Sequence, residues 1–223
     1  MRTGGKSNAR HPESDRGSVI AFWENYHSSG RDIGGYPLSS TVELWFMEHM
    51  HSVSHVLEIA SGTGRTYSHL INMAVSSGCG SVFYVGADAS PSAVERASRR
   101  KGFNGVLADM FHLPFDNEAF DFIYSRNAFQ GYPADRLKML GPGITRLLKN
   151  GGSIGVEERG PLDRLGIEEA IDFASSHDFM GTDSLTEIFS NLEVAAATED
   201  LHKRKTKNGT VVAHTSTVIL VKR

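Results

Sequence analysis

From His55 onward, short apolar runs alternate with longer stretches of helical spacing. Val56, Leu57, Ile59 and Ala60 form a near-continuous apolar run of the kind buried in a parallel sheet, with Glu58 as the one acid inside it. The next stretch, RTYSHLINMAV, sets Tyr67, Leu70, Ile71 and Ala74 at helical intervals and predicts a helix over about 65–77. The alternation continues with a strand over 81–88 and a helix capped by Ser90 with Pro91 in its first turn, where proline is tolerated. Strands follow over 103–109 and 120–125. A helix over 133–150, bent near Gly141, Pro142 and Gly143, leads to a strand over 151–158.

Both flanks read differently. Before the first strand, Val19 to His27 predicts a short helix carrying Phe22, Trp23 and Tyr26. The turn-rich SSGRDIGGYP then leads to a second helix, STVELWFMEHM, capped by Ser39, Ser40 or Thr41. After the last strand, helices near 163–178 and 184–190 precede LEVAAATEDLHKRKT and TVVAHTSTVILVKR, joined by the hairpin signal KNG. The order predicts an α/β fold: a doubly wound, mostly parallel seven-stranded sheet with a C-terminal antiparallel hairpin and helices on both faces. Residues 1–17 read as a polar, disordered tail and 18–223 as a single domain. Within it, 18–50 is expected to be a helical lid and 159–190 a helical insertion.

Composition narrows the setting. With 223 residues and 39% hydrophobic, the chain can bury one sizeable core. A net charge of −3 gives no electrostatic footprint for nucleic acid or an anionic membrane, so neither is expected as a partner. One cysteine, Cys79, allows no intrachain disulfide and suits a reducing compartment. No apolar run approaches the ~20 residues of a membrane span, and the polar N-terminal stretch lacks the apolar middle of a secretory signal. A cytoplasmic location is the expectation.

In doubly wound sheets ligands lie beyond the carboxyl ends of the strands. That places Ala60 to Gly64, Asp88, Asp109 and Ser125 to Asn127 around one crevice. Gly62 and Gly64 allow close backbone approach, and Asp88 can accept hydrogen bonds from both hydroxyls of a ribose. Asp109 can accept from an exocyclic amine, while Ala89, Met110 and Phe111 can cover the faces of a flat ring. The set suggests an adenosine. A dinucleotide loop requires Gly-x-Gly-x-x-Gly, but the third position here is Tyr67, and Glu58 would face a pyrophosphate unfavourably. A cofactor with a cationic amino-acid end suits Glu58 better, which favours S-adenosylmethionine over NAD.

The run VLEIASGTG resembles the first motif of the class I S-adenosylmethionine-dependent methyltransferases, an acid followed by Gly-x-Gly. LADMFHLPFDNEAFDFIYS resembles that family's third and fourth segments, and RLLKNGGSI the turn before its fifth strand, with Asn150 where proline is commoner. The likeness covers about 55–158. It implies that Glu58 and the loop Ala60, Ser61, Gly62 and Gly64 hold the methionine part of the cofactor. By the same resemblance Asp88 binds ribose with Ala89 against adenine, Asp109, Met110 and Phe111 frame the adenine, and Ser125 lines the floor beneath the methionine. The product would be S-adenosylhomocysteine. No metal is needed, because the sulfonium provides its own leaving group.

The acceptor is not legible; a small molecule methylated at O or N is the expectation. Arg126, Asn127, Phe129 and Gln130 after the fourth strand are expected to shape its pocket, together with Tyr26. Tyr36 and His112 are the candidate catalytic residues, with His177 and Glu157 as further candidate bases. HMHSVSH could suggest a metal through His49, His51 and His55, but the spacing suits no single helical face, and a solvated helix end accounts for it. Two alternatives remain open: another attack on the sulfonium, such as cyclisation of the cofactor's amino-acid part, and a non-catalytic adenosyl-binding module.

Overall fold

The computed structural model describes residues 12–31, 38–79, 81–161, 180–206 and 209–223. Their strands form one seven-stranded sheet in the order β3-β2-β1-β4-β5-β7-β6. The parallel strands are β1 (His55–Ile59), β2 (Phe83–Asp88), β3 (Asn104–Leu107), β4 (Phe120–Arg126) and β5 (Leu148–Arg159). Strand β7 (Gly209–Val221) pairs antiparallel with β5 and with β6 (Glu193–Thr206), which is the predicted terminal hairpin. The order reverses between β1 and β4, and such a reversal opens a crevice at the strands' carboxyl ends.

Side chains alternate across the sheet, so each central strand feeds two cores. Leu57, Ile59, Ile123 and Val156 face α5 (Ala134–Thr145) and the helix α6 (Thr182–Ile188). Val56, Tyr84, Phe122 and Tyr124 face α2 (Ser40–His49) and α3 (Arg65–Ser76). Helix α4 (Pro91–Ser98) begins at Ser90, whose side chain accepts from the Ala93 amide as predicted. A side chain at Gly141 would stand 1.9 Å from the Ile188 carbonyl oxygen, so the GPG sequence lets α5 and α6 touch backbone to backbone.

Several boundaries move. Helix α1 runs Pro12–Ser28, starting seven residues before the first predicted position, so the part of the supposed tail that is described is helical. Pro12 followed by Glu13 and Asp15 is a helix-start signal that the apolar spacing does not carry. Helix α5 ends at Thr145 and not near 150, because Leu148 pairs with Phe120 and opens β5. The expected helix near 163–178, with His177, and the loop holding Tyr36 lie outside the described residues.

The segment expected as one lid divides. Helix α2 packs on the sheet, with Val42 and Phe46 in the core, Trp45 donating to Ser153 Oγ at 3.1 Å and Thr41 bonded to Thr198 at 2.9 Å. Among the described residues of this segment, the cavity at the strand ends is bordered by Leu38 and by helix α1. Its Glu24 accepts from Ser90 Oγ (2.6 Å), Ser92 Oγ (2.6 Å) and the Ser92 amide (3.2 Å) at the start of α4. Arg96 of α4 answers by donating to the carbonyls of His27 and Arg31.

Candidate active site

The glycine loop between β1 and α3 turns on left-handed backbone at Ala60 (φ 55°), Gly62 (φ 54°) and Gly64 (φ 72°). Asp88, at the end of β2, clamps it: one carboxylate oxygen accepts the Gly62 amide at 2.8 Å and the other the Ser90 amide at 2.8 Å. Burial raises the Asp88 carboxyl above its ordinary range, against the opposing pull of those amides and of nearby His27. Tyr67, in the third position of the glycine pattern, is buried against Tyr84 and Phe103 with its hydroxyl on the Lys101 carbonyl, so that position is filled by a core aromatic.

Glu58 is only 3% exposed. Its Oε2 accepts from Tyr84 Oη at 2.6 Å, and the Thr66 hydroxyl adds a second hydrogen bond. Burial pushes its carboxyl up to about 7; Tyr84 and Thr66 resist the shift, the Asp88 charge adds to it, and Arg126 opposes it.

These groups converge on a cavity of about 340 Å³, within the range of small-molecule sites. Of the residues named from the sequence, Glu58, Ala60, Ser61, Gly62, Asp88, Ala89, Asp109, Met110, Arg126 and Asn127 line it. The Asp109 carboxylate accepts the Phe111 amide at 3.1 Å. Arg126 is held by Glu157, whose Oε1 lies 2.9 Å from the guanidinium Nε, while its Oε2 accepts the Ser39 amide and Tyr124 Oη. Glu157 therefore anchors Arg126, with a partner on each of its carboxylate oxygens.

Other expected site residues stand off the wall. Gly64 shapes the loop behind it. Ser125 is fully buried on the α5 face of the sheet, its Oγ without a hydrogen-bond partner among the described residues. Phe111 packs edge-to-face on Tyr132 and beneath Arg136. Phe129 is core, facing Phe189, and Gln130 Nε2 donates to Asn127 Oδ1 at 3.5 Å. His112 has a side chain 70% exposed, with its ring 3.6 Å from Asp109. Tyr26 turns from the cavity toward Arg31, because the helix face that borders the cavity carries Val19, Ile20, Trp23 and His27. His49, His51 and His55 bond separately to Trp45, Cys79 and Ser54.

Sequence reasoning missed His27, Thr66, Leu113 and Tyr132 as site residues, and named Trp23 on the first helix without placing it at the site; all five line the cavity. It also missed Glu158, buried on the α5 face with Oε1 accepting the Ala128 (2.7 Å) and Phe129 (3.0 Å) amides. Burial raises that carboxyl to about 8, although both amides lower it. The period-3.6 spacing of 19, 20, 23 and 27 was the available signal for α1; nothing local marks Glu158.

Residues 56–152 match the methyltransferase-domain family. That match, together with the sheet order, supports a class I S-adenosylmethionine-dependent methyltransferase. A phthiotriol/phenolphthiotriol dimycocerosates methyltransferase of Mycobacterium leprae is 29% identical over 128 residues, 56% of this chain and 44% of that protein, so the match spans less than half of the relative. The methyltransferase fold also matches solved structures. One is an S-adenosylmethionine-dependent methyltransferase of Anabaena variabilis, with TM-score 0.69, 15% identity and all of both chains covered. Another, at TM-score 0.67 and 12% identity over 98% and 94% of the chains, is 1,6-didemethyltoxoflavin-N1-methyltransferase of Burkholderia thailandensis, solved with its substrate and S-adenosylhomocysteine. A third, from a study of disulfide-to-thioacetal conversion in echinomycin biosynthesis, has TM-score 0.68 and 20% identity over 92% of each chain. Among the described residues no helix is long and apolar enough to cross a membrane.

Proposed function

We propose that the protein transfers a methyl group from S-adenosylmethionine to a small-molecule acceptor, at O or N, by in-line displacement. The observation that carries this reading is the convergence of Glu58, Asp88 and Asp109, from the ends of β1, β2 and β3, on one cavity beside the glycine loop. The residues present fit the cofactor. Each Asp88 oxygen accepts one amide, and a carboxylate offers about four lone-pair sites, so capacity remains for two ribose hydroxyls. Ser61 lines the same wall with a buried Oγ that has no hydrogen-bond partner among the described residues.

When bound, the cofactor supplies an activated methyl and its own leaving group. The chain's residues supply placement and dryness. Glu58 offers an anion to the amino-acid end, Asp88 fixes the ribose and Asp109 the adenine edge. Leu113, Ala128 and Tyr132, facing Ile20 and Trp23, give the acceptor side an apolar lining. Helix α1 is the lid, latched by Glu24 onto the start of α4. A small acceptor agrees with the relatives, two of which are named for small molecules, and with the absence of a basic surface signal in the net charge.

Calorimetry tests the cofactor reading: S-adenosylmethionine and S-adenosylhomocysteine bind and NAD does not, whereas NAD binding without heat from either adenosyl ligand would overturn it. Mass spectrometry of cells expressing the protein identifies the acceptor as a metabolite gaining one methyl group; release of methylthioadenosine in place of S-adenosylhomocysteine would instead assign cyclisation. Hydrogen exchange tests the lid, with S-adenosylhomocysteine expected to slow exchange over 19–28 as well as in the glycine loop. Protection confined to 58–64, 88–89 and 109–111 would remove α1 from that role.

A further inference from the structure

We propose that Arg126 binds the α-carboxylate of the cofactor's amino-acid end while Glu58 takes its ammonium group, so that the two side chains together read a zwitterion. The inference rests on the cofactor reading above and adds a second, oppositely charged ligand to it.

The register supplies the placement. Glu58 pairs with Tyr124 across β1 and β4, and Arg126 lies two residues further along β4. Two residues are one pleat repeat, so both side chains leave the same sheet face about 6.6 Å apart along the strand direction. Both line the cavity. An α-amino acid carries its ammonium and carboxylate on a single carbon, and charge-assisted bonds of about 2.8 Å on either side let it bridge such a pair.

The anchoring supplies the aim. Glu157 grips the guanidinium at Nε from the far side, and is itself pinned by the Ser39 amide and Tyr124 Oη. Arg126 is thereby fixed with only 19% of its side chain exposed. Without a ligand the row Glu157, Arg126, Glu58 contains two acids and one base, and Arg126 already lowers the tendency of Glu58 to hold its proton. A zwitterion inserted between Arg126 and Glu58 makes the charges alternate along the whole row: acid, guanidinium, carboxylate, ammonium, acid. The other basic side chains on the wall stand on helices. His69 is held by Glu43 at 2.8 Å, and Arg65 opens α3 beyond the glycine loop. Neither leaves β1 or β4 itself, as Glu58 and Arg126 do.

The experiment compares S-adenosylhomocysteine with its decarboxylated analogue, 5′-(3-aminopropylthio)-5′-deoxyadenosine, by calorimetry. The wild type is expected to prefer the carboxylated ligand by about tenfold or more, the scale of a charge-assisted pair, and Arg126→Met to lose that preference. Because the single variant strands the Glu157 charge, Arg126→Gln with Glu157→Gln is measured beside it, with circular dichroism to establish folding. Equal wild-type affinity for both ligands would overturn the proposal whatever the variants do. Retained preference in a folded Arg126 variant would also overturn it, as would loss of preference in Arg65→Met instead. Failure of the wild type to bind S-adenosylhomocysteine at all is a different result, and strikes the cofactor reading itself.

Discussion

Replacing Glu58 by glutamine should separate two pH dependences of opposite sign. Burial moves the Glu58 carboxyl from 4.5 to about 7 in the folded, ligand-free protein, so below that pH the fold holds a neutral acid. A carboxyl raised on folding contributes stability that is complete below its unfolded value and is lost as pH rises through its folded value. For Glu58 the loss falls between about pH 5 and 8, and the shift corresponds to about 3 kcal/mol in total. Binding runs the other way. If the ammonium of the ligand requires the anion, about one tenth of Glu58 is competent at pH 6 and about nine tenths at pH 8, so affinity should rise about tenfold over that interval. Titration calorimetry with S-adenosylhomocysteine at several pH values, in two buffers of different ionisation enthalpy, reads both the affinity and the proton released. Urea melts of the free protein read the stability. Glu158 titrates near 8 with the same sign, so the wild-type minus Glu58→Gln difference isolates Glu58. In the variant both slopes should shrink and the affinity should fall. A wild-type affinity flat from pH 6 to 8, or a slope unchanged in Glu58→Gln, would refute the reasoning.

Asp88→Ala should weaken S-adenosylhomocysteine binding by about 1–3 kcal/mol, the scale for losing hydrogen bonds to a charged group; calorimetry on a folded variant showing wild-type affinity would remove Asp88 from the site. Gly86→Ala should destabilise the domain by about 1–3 kcal/mol or more in urea melts, because the new methyl would meet Phe103 Cζ at 2.1 Å and Ser61 Oγ at 2.8 Å. An unchanged midpoint would show that Phe103 can move aside. Turnover, once an acceptor is in hand, should survive EDTA, since a sulfonium needs no Lewis acid; activity lost to EDTA and restored by Mg²⁺ or Zn²⁺ would contradict this.

The strand ends were legible because their signals are local. Gly62 and Gly64 mark a turn, and Asp88 and Asp109 each close an apolar run. What pairs with Glu58 was not legible. Tyr84 is 26 residues away in sequence and reaches Glu58 only through the β1–β2 register. Leu147 and Leu148 fit a helix or a strand equally well, and pairing of Leu148 with Phe120 decides between them. In α1 the aromatic residues drew notice to Tyr26, whereas the helical period from Val19 points to Trp23 and His27. Glu24 reads as an exposed polar position, and its partners Ser90 and Ser92 lie across the crevice.

Asp88 holds the glycine loop and the start of α4 together before any ligand arrives. The cradle is therefore preorganised, and cofactor capture need not order it, which limits the entropic cost of binding to whatever α1 must surrender. This divides the pocket for a protein engineer. The sugar site is the part that tolerates least, because altering its acid also loosens the loop. The α1 wall hangs on Glu24 and on backbone carbonyls, so its cavity-facing Ile20 and Trp23 can be exchanged without disturbing the latch. Acceptor range can be redesigned there, one helix face at a time.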